Sequence, residues 1–306
     1  MPEYATYWHT ITPCAIDSKP DELGKYYLDF SSKYYYPGKF DGKGIPIYEF
    51  PDKRAIYHPI VICQYAFALF ELLFKSNYSN KTAETQFLIQ ADWLLKSGSE
   101  TKKGLVWYID YSIKEYGLYQ PWFSALAQGE AISVLTRAYK LTSNIDFIKA
   151  CDKAIIPFTL QVKSGGLVNL FKNIPVYEEY PSPIRTVAVL NGFIFSLFGL
   201  YDYYLSTKNS LAKELFENGI DSLTKILPYY DIKYWSSYYL FDYPKSYTSS
   251  FTYHNIMINQ LKALSIISNE KIFSEYSNKW ESYKNSNYYK TKALIRKILF
   301  SRKLKV

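Results

Sequence analysis

At 306 residues the chain is long enough to bury a substantial core, as one large domain or two. Its three cysteines, Cys14, Cys63 and Cys151, lie in apolar or isolated contexts and exclude a disulfide framework or a Cys-His metal site. The formal charge of +8 is local: Lys290 to Val306 holds seven Lys or Arg and no acid, so the remainder carries +1 and offers no broad basic face for nucleic acid.

Residues 1–57 are rich in Tyr, Gly, Pro and Asp and read as loops with a short strand or hairpin. The opening MPEYATYWHT has neither the basic start nor the apolar core of a signal peptide. No stretch has the length and apolarity of a membrane span, so the chain reads as cytoplasmic as written. From His58 the pattern turns helical. HPIVICQYAFALFELLFK and TAETQFLIQADWLLK form one hairpin; WFSALAQGEAISVLTRAYKL from Trp122 and Ile145 to Val162 form a second. Segments at about 187–207 and 209–227 make a third, and 251–268 with 271–284 a fourth.

The first helices recur near 58, 122, 187 and 251, each after an aromatic loop, which is a repeat architecture. These first helices are apolar on all sides and predict burial; the second helices carry charge, as in Lys208, Lys213, Glu214 and Glu217. The fold expected is mainly α, an (α/α) barrel or toroid of about four helical hairpins with short β-hairpin or loop insertions on one rim. The expected divisions are a loop- and β-rich segment 1–57, a barrel 58–289 and a basic tail 290–306. That tail interleaves Leu294, Ile295, Ile298 and Leu299 with cations and suits a solvated helix or a weak peripheral contact with an anionic membrane surface. The oligomeric state stays open, a homodimer among the options.

The loops are rich in phenol, within a total of 33 tyrosines. In YEEYPSPIRTVAVLNGF, Glu178 and Glu179 stand between Tyr177 and Tyr180 and run into an apolar helix, a setting in which sites are built. Adjacent carboxylates point apart, so one of the two is expected to face a cleft. Asp110, Asp202 and Asp242 are partners that spacing does not select. His58 and His254 each open a helix, where a lone His serves more often as a cap or packing group. No phosphate cradle, zinc motif or serine elbow is present, and nothing calls for a cofactor or a metal.

Four blocks, YHPIVICQYA (57–66), LYQPWFSALAQGEAISVLTRAYKLT (118–142), YEEYPSPIRTVAVLNGFIFSLFGLYD (177–202) and FTYHNIMINQLKALS (251–265), resemble the C-terminal catalytic region of the D-glucuronyl C5-epimerases. The resemblance implies an isomerase that inverts carbon 5 of glucuronate in an anionic heparosan-type glycosaminoglycan or related uronate polysaccharide, giving iduronate, on an α/α barrel. It implies catalytic roles for Tyr180, Tyr253 and Glu179, with Tyr239 the best match for a further tyrosine and Tyr238 beside it. Gln64, Gln128 and Asn191 match polar cleft positions; Tyr177 and His254, inside the third and fourth blocks, are further substrate-binding candidates.

The implied chemistry removes the C5 proton on one ring face and returns one on the other, with Tyr180 and Tyr239 or Tyr253 as the two acid–base groups. Where the family's loop carries an Arg this chain reads Leu240-Phe241-Asp242, so Arg185 is expected either to meet the substrate carboxylate or to pair with Glu178. Two alternatives remain: a uronate lyase, which abstracts the same proton and expels the C4 substituent, and a non-catalytic glycan-binding toroid.

Overall fold

The computed structural model describes residues 7–8, 10–241 and 247–303. Asp242, the ends of the chain and the last three residues of the basic tail lie outside them. Nine α-helices are present among the described residues, in chain order α1 (Pro59–Lys75), α2 (Lys81–Ser97), α3 (Ala125–Thr142), α4 (Ile145–Ala154), α5 (Leu190–Thr207), α6 (Ser210–Ile226), α7 (Phe251–Ser268), α8 (Lys271–Asn285) and α9 (Asn287–Lys303). The first eight form the four expected hairpins, and each first helix is apolar enough to be buried along most of its length.

Two boundaries differ from the sequence reading. The second hairpin opens at Ala125 rather than Trp122, because Ser124 caps the helix by accepting from the Leu126 amide. Trp122–Phe123 instead pairs antiparallel with Tyr108–Ile109. Its second helix stops at Ala154 rather than near Val162, and Ile156–Thr159 turns as a 3-10 helix carrying Pro157, which has no amide hydrogen to continue an α-helix.

Helix α3 packs against α1 and most extensively against α5, which in turn meets α7. The α3–α5 crossing is close because two glycines meet there: a β-carbon at Gly129 would fall 2.5 Å from the Ser196 α-carbon, and one at Gly199 2.5 Å from the Gly129 α-carbon. Arg137 of α3 and Asp202 of α5 clamp the same crossing, Nη1 to Oδ2 at 2.6 Å, both side chains 1% exposed. Tyr27 adds a hydrogen bond to Asp202 at 2.8 Å. Asp202 is thereby a structural ion-pair partner rather than a cleft carboxylate, and Asp110 lies exposed at the surface.

The segment before α1 shares this core. Strands β1 (Lys39–Phe40), β2 (Pro46–Glu49) and β3 (Ala55–Ile56) form an antiparallel sheet in sequence order. Tyr26 stacks on Phe67 of α1 and Tyr27 on Phe198 of α5, with ring centres 3.8 and 4.3 Å apart. Strands β4 (Ser99–Thr101) and β5 (Gly104–Val106) pair after α2; β6 (Tyr108–Ile109) and β7 (Trp122–Phe123) form the pair described above; β8 (Val168–Phe171) and β9 (Ile174–Tyr177) pair before α5. The β8–β9 hairpin carries the Glu-Glu-Tyr sequence toward the helix ends.

Candidate active site

Strand β9 sends successive side chains to opposite sides. Tyr177 turns into the core, its hydroxyl donating to the Leu215 carbonyl at 2.8 Å. Glu178 accepts from the Val187 and Ala188 amides at 2.8 and 2.9 Å, pinning a turn in which Ala188 has the left-handed φ of 51°. Burial pushes Glu178 up to about 8 against the pull of those two amides. Glu179 is the one of the pair that reaches a cavity.

That cavity, about 220 Å³, is lined by residues from the first turns of the first helices of all four hairpins: Ile60 of α1, Leu126 of α3, Asn191 of α5 and Tyr253 of α7, with Gln64 one turn further along α1. Four helix N-termini therefore converge on it, each contributing partial positive charge. Glu179, Tyr180 and Tyr111 line it from the loops, and Thr12, Lys33 and Tyr48 from the segment before α1.

Glu179 is 5% exposed, and burial lifts it to about 7, opposed by hydrogen bonding from Tyr180 and Tyr238. The Tyr238 hydroxyl donates to Oε1 at 3.4 Å. Oε2 has no hydrogen-bond partner among the described residues and lies against Gly192, where a β-carbon would overlap it. Burial first, and the Glu179 charge second, push the phenols of Tyr180, Tyr238 and Tyr253 upward, so all three are protonated at neutral pH. The Tyr238 and Tyr253 rings meet edge to face, 4.9 Å between centres.

Tyr239, expected as the loop's acid–base group, does not line the cavity. Its backbone bridges Val189, its ring packs with Val187 and Val189 and stacks on Tyr247, and burial moves its phenol to about 12. Extended backbone alternates faces, so Tyr238, one residue earlier, takes the position beside Glu179.

Gln64 and Asn191 lie at the cavity as expected. Gln128 does not: it is a buried staple, accepting from the Trp107 amide and donating to the Leu105 and Ala154 carbonyls. His254 is also structural, stacked on Trp235 at 3.8 Å, with Nδ1 on Ser236 and Nε2 on the Trp280 carbonyl; burial lowers it to about 3, so it stays neutral. Arg185 stands over the Phe241 ring at 4.3 Å and is absent from the cavity lining, and the partner proposed for it, Glu178, is held by backbone amides.

Lys33, Thr12, Tyr48 and Tyr111 were not identified from sequence. Lys33 is an isolated cation in the aromatic run SSKYYY, which was the available signal. Its Nζ donates to Gln64 Oε1 at 2.6 Å, and Gln64 Nε2 donates onward to Glu130 Oε1 at 3.0 Å.

The part of the cavity wall formed by Tyr111, Leu126, Glu179, Tyr180, Asn191 and Tyr253 lies on a stretch of chain with known counterparts. The D-glucuronyl C5-epimerase of Caenorhabditis elegans is 33% identical over 214 residues, covering 64% of this chain and 34% of that protein. An uncharacterized protein of Methanocaldococcus jannaschii is 33% identical over 138 residues, 44% of each chain. The match thus spans about a third of the first relative and under half of the second. The sequence model described as D-glucuronyl C5-epimerase C-terminus matches residues 100–282, which hold Glu179, Tyr180, Asn191, Tyr238 and Tyr253, and the chain belongs to that family.

Proposed function

We propose that the chain is a uronyl epimerase that inverts carbon 5 of glucuronate residues within a polysaccharide or glycan. The observation that carries this reading is Glu179, a buried carboxyl that accepts from Tyr238 and lines a cavity together with Tyr180 and Tyr253. A C–H beside a carboxylate is a very weak acid, so its removal needs a positioned base and stabilisation of the charge that forms.

A phenol whose titration is pushed upward is a poor base by itself. Tyr180 beside Glu179 overcomes this as a pair: as the Tyr180 oxygen takes the C5 proton, its own hydrogen passes to the Glu179 carboxylate. The C5–H electron pair moves into the adjacent carboxyl group, giving an enediolate. Tyr253, on the opposite side of the ring, then donates its hydroxyl hydrogen to C5 and inverts it, and Tyr238 holds Glu179 in place. Tyr239 acts behind them as packing. The finer architecture fits the same reading, an α/α toroid with α1, α3, α5 and α7 as its inner ring and their N-termini at the mouth.

Incubation with a glucuronate-containing polymer in deuterated water tests the function. The epimerase reading predicts deuterium at C5 together with iduronate. An unsaturated uronate absorbing in the ultraviolet would instead mark a lyase, and binding without exchange a glycan receptor; either result rejects the proposal.

A further inference from the structure

The proposed reaction leaves one requirement unmet by the residues so far assigned: a cation for the substrate carboxylate, whose charge grows as the C5 proton leaves. The matched region supplies none at the cavity, since Arg185 faces Phe241. Resting on the uronyl epimerase reading, we propose that Lys33 receives the substrate carboxylate, so that the segment before α1, outside the matched family region, completes the site.

Lys33 is the one Lys or Arg among the cavity-lining residues, and it is 4% exposed. Its ammonium donates to the Tyr7 carbonyl at 2.9 Å and to Gln64 Oε1 at 2.6 Å and lies 4.1 Å over the Tyr7 ring. Those two acceptors leave one of its three N–H groups for a ligand. Among the described residues no carboxylate pairs directly with Nζ; Glu130 is hydrogen-bonded to it through Gln64 and supports its charge from a distance. An ammonium buried without an ion partner is costly, and a bound carboxylate removes that cost.

Neighbouring lining groups are also unspent. Thr12 Oγ1, His58 Nδ1 and Asn191 Oδ1 are buried with no hydrogen-bond partner among the described residues. The hydroxyl of Thr12 can donate to the second carboxylate oxygen, and Asn191 Oδ1 can accept from a ring hydroxyl. Burial pulls Lys33 down to about 7, and an anionic ligand moves it back up, so the substrate itself favours the charged form.

The test compares, by calorimetry, a glucuronate-containing oligosaccharide with its carboxyl-reduced counterpart, in which glucose replaces glucuronate. Wild type is expected to prefer the carboxylate form by about tenfold or more. Lys33→Gln, which keeps hydrogen bonds but not charge, should remove the preference; Lys33→Arg should keep most of it, and Arg185→Ala should leave it unchanged. Lys33→Met is read in place of Lys33→Gln if that variant shows no cooperative melt. A preference that survives loss of the Lys33 charge, or disappears in Arg185→Ala, overturns the assignment. If C5 exchange persists in such a case, only Lys33 is rejected; wild type lacking both preference and exchange rejects the epimerase reading as well.

Discussion

Gly192 ties helix packing to the proposed chemistry and gives a sharp perturbation. A β-carbon there would sit 2.5 Å from Glu179 Cβ and 2.9 Å from Cγ, whereas carbon atoms pack at about 3.5–4.0 Å. Something must move by roughly 1 Å, and α5 is held by its close crossing with α3, so the displacement falls on Glu179. Gly192→Ala should lower stability by about 1–3 kcal/mol through overpacking, less up to about 1 kcal/mol gained from the better helix former. Misplacement of a reacting group by about 1 Å costs on the order of 10²-fold in rate. The assay pairs a thermal melt with deuterium incorporation at C5. A cooperative melt with exchange reduced about 100-fold is the expected result. Exchange within about twofold of wild type would refute the claim that Glu179's position in this cavity sets the rate, since a displacement of that size costs far more.

Asp202→Ala strands the Arg137 guanidinium in the core and should cost about 3–5 kcal/mol in chemical denaturation, far more than an exposed ion pair would. Glu130 is buried and raised to about 8, above its unfolded value, so the stability it contributes is present below pH 4.5 and is lost as pH rises toward 8. Glu130→Gln should therefore melt with a shallower decline than wild type between about pH 5 and 8. On α9, Leu294, Ile295, Ile298 and Leu299 are all exposed beside the tail's cations, and we propose a weak contact with anionic membrane surfaces. Sedimentation with anionic but not neutral vesicles, lost in Leu294→Glu/Ile298→Glu, is the expected outcome; equal recovery with both vesicles argues against it.

The hairpin repeat was legible because α1, α3, α5 and α7 are apolar on every side and lie at even spacing. The helix ends at Ser124 and Pro157 were less so, since a cap and a missing amide act over one or two residues within a continuous apolar run. Glu179, Tyr180, Asn191 and Tyr253 were readable because each lies in a local block beside a helix start. The choice between Tyr238 and Tyr239 was not, because alternation in extended chain makes a one-residue shift a change of face. Gln128 and His254 illustrate a further limit: polar residues at helix starts serve equally as backbone staples, and only their partners reveal which role they hold. Lys33 was hidden for another reason, since its contact with Gln64 joins positions 31 residues apart and depends on how the segment before α1 folds onto the helices.

The most direct measurement is C5 deuterium incorporation by Glu179→Gln and Tyr180→Phe across pH 5–9, with polymer binding measured in parallel. Wild-type exchange should rise with pH through about 7, where Glu179 ionises. Both variants should lose about 10²-fold or more while still binding polymer, and Glu179→Gln should lose the rise. Exchange at the wild-type rate in either variant, or an unchanged pH profile in Glu179→Gln, would contradict the assignment of proton transfer to this pair.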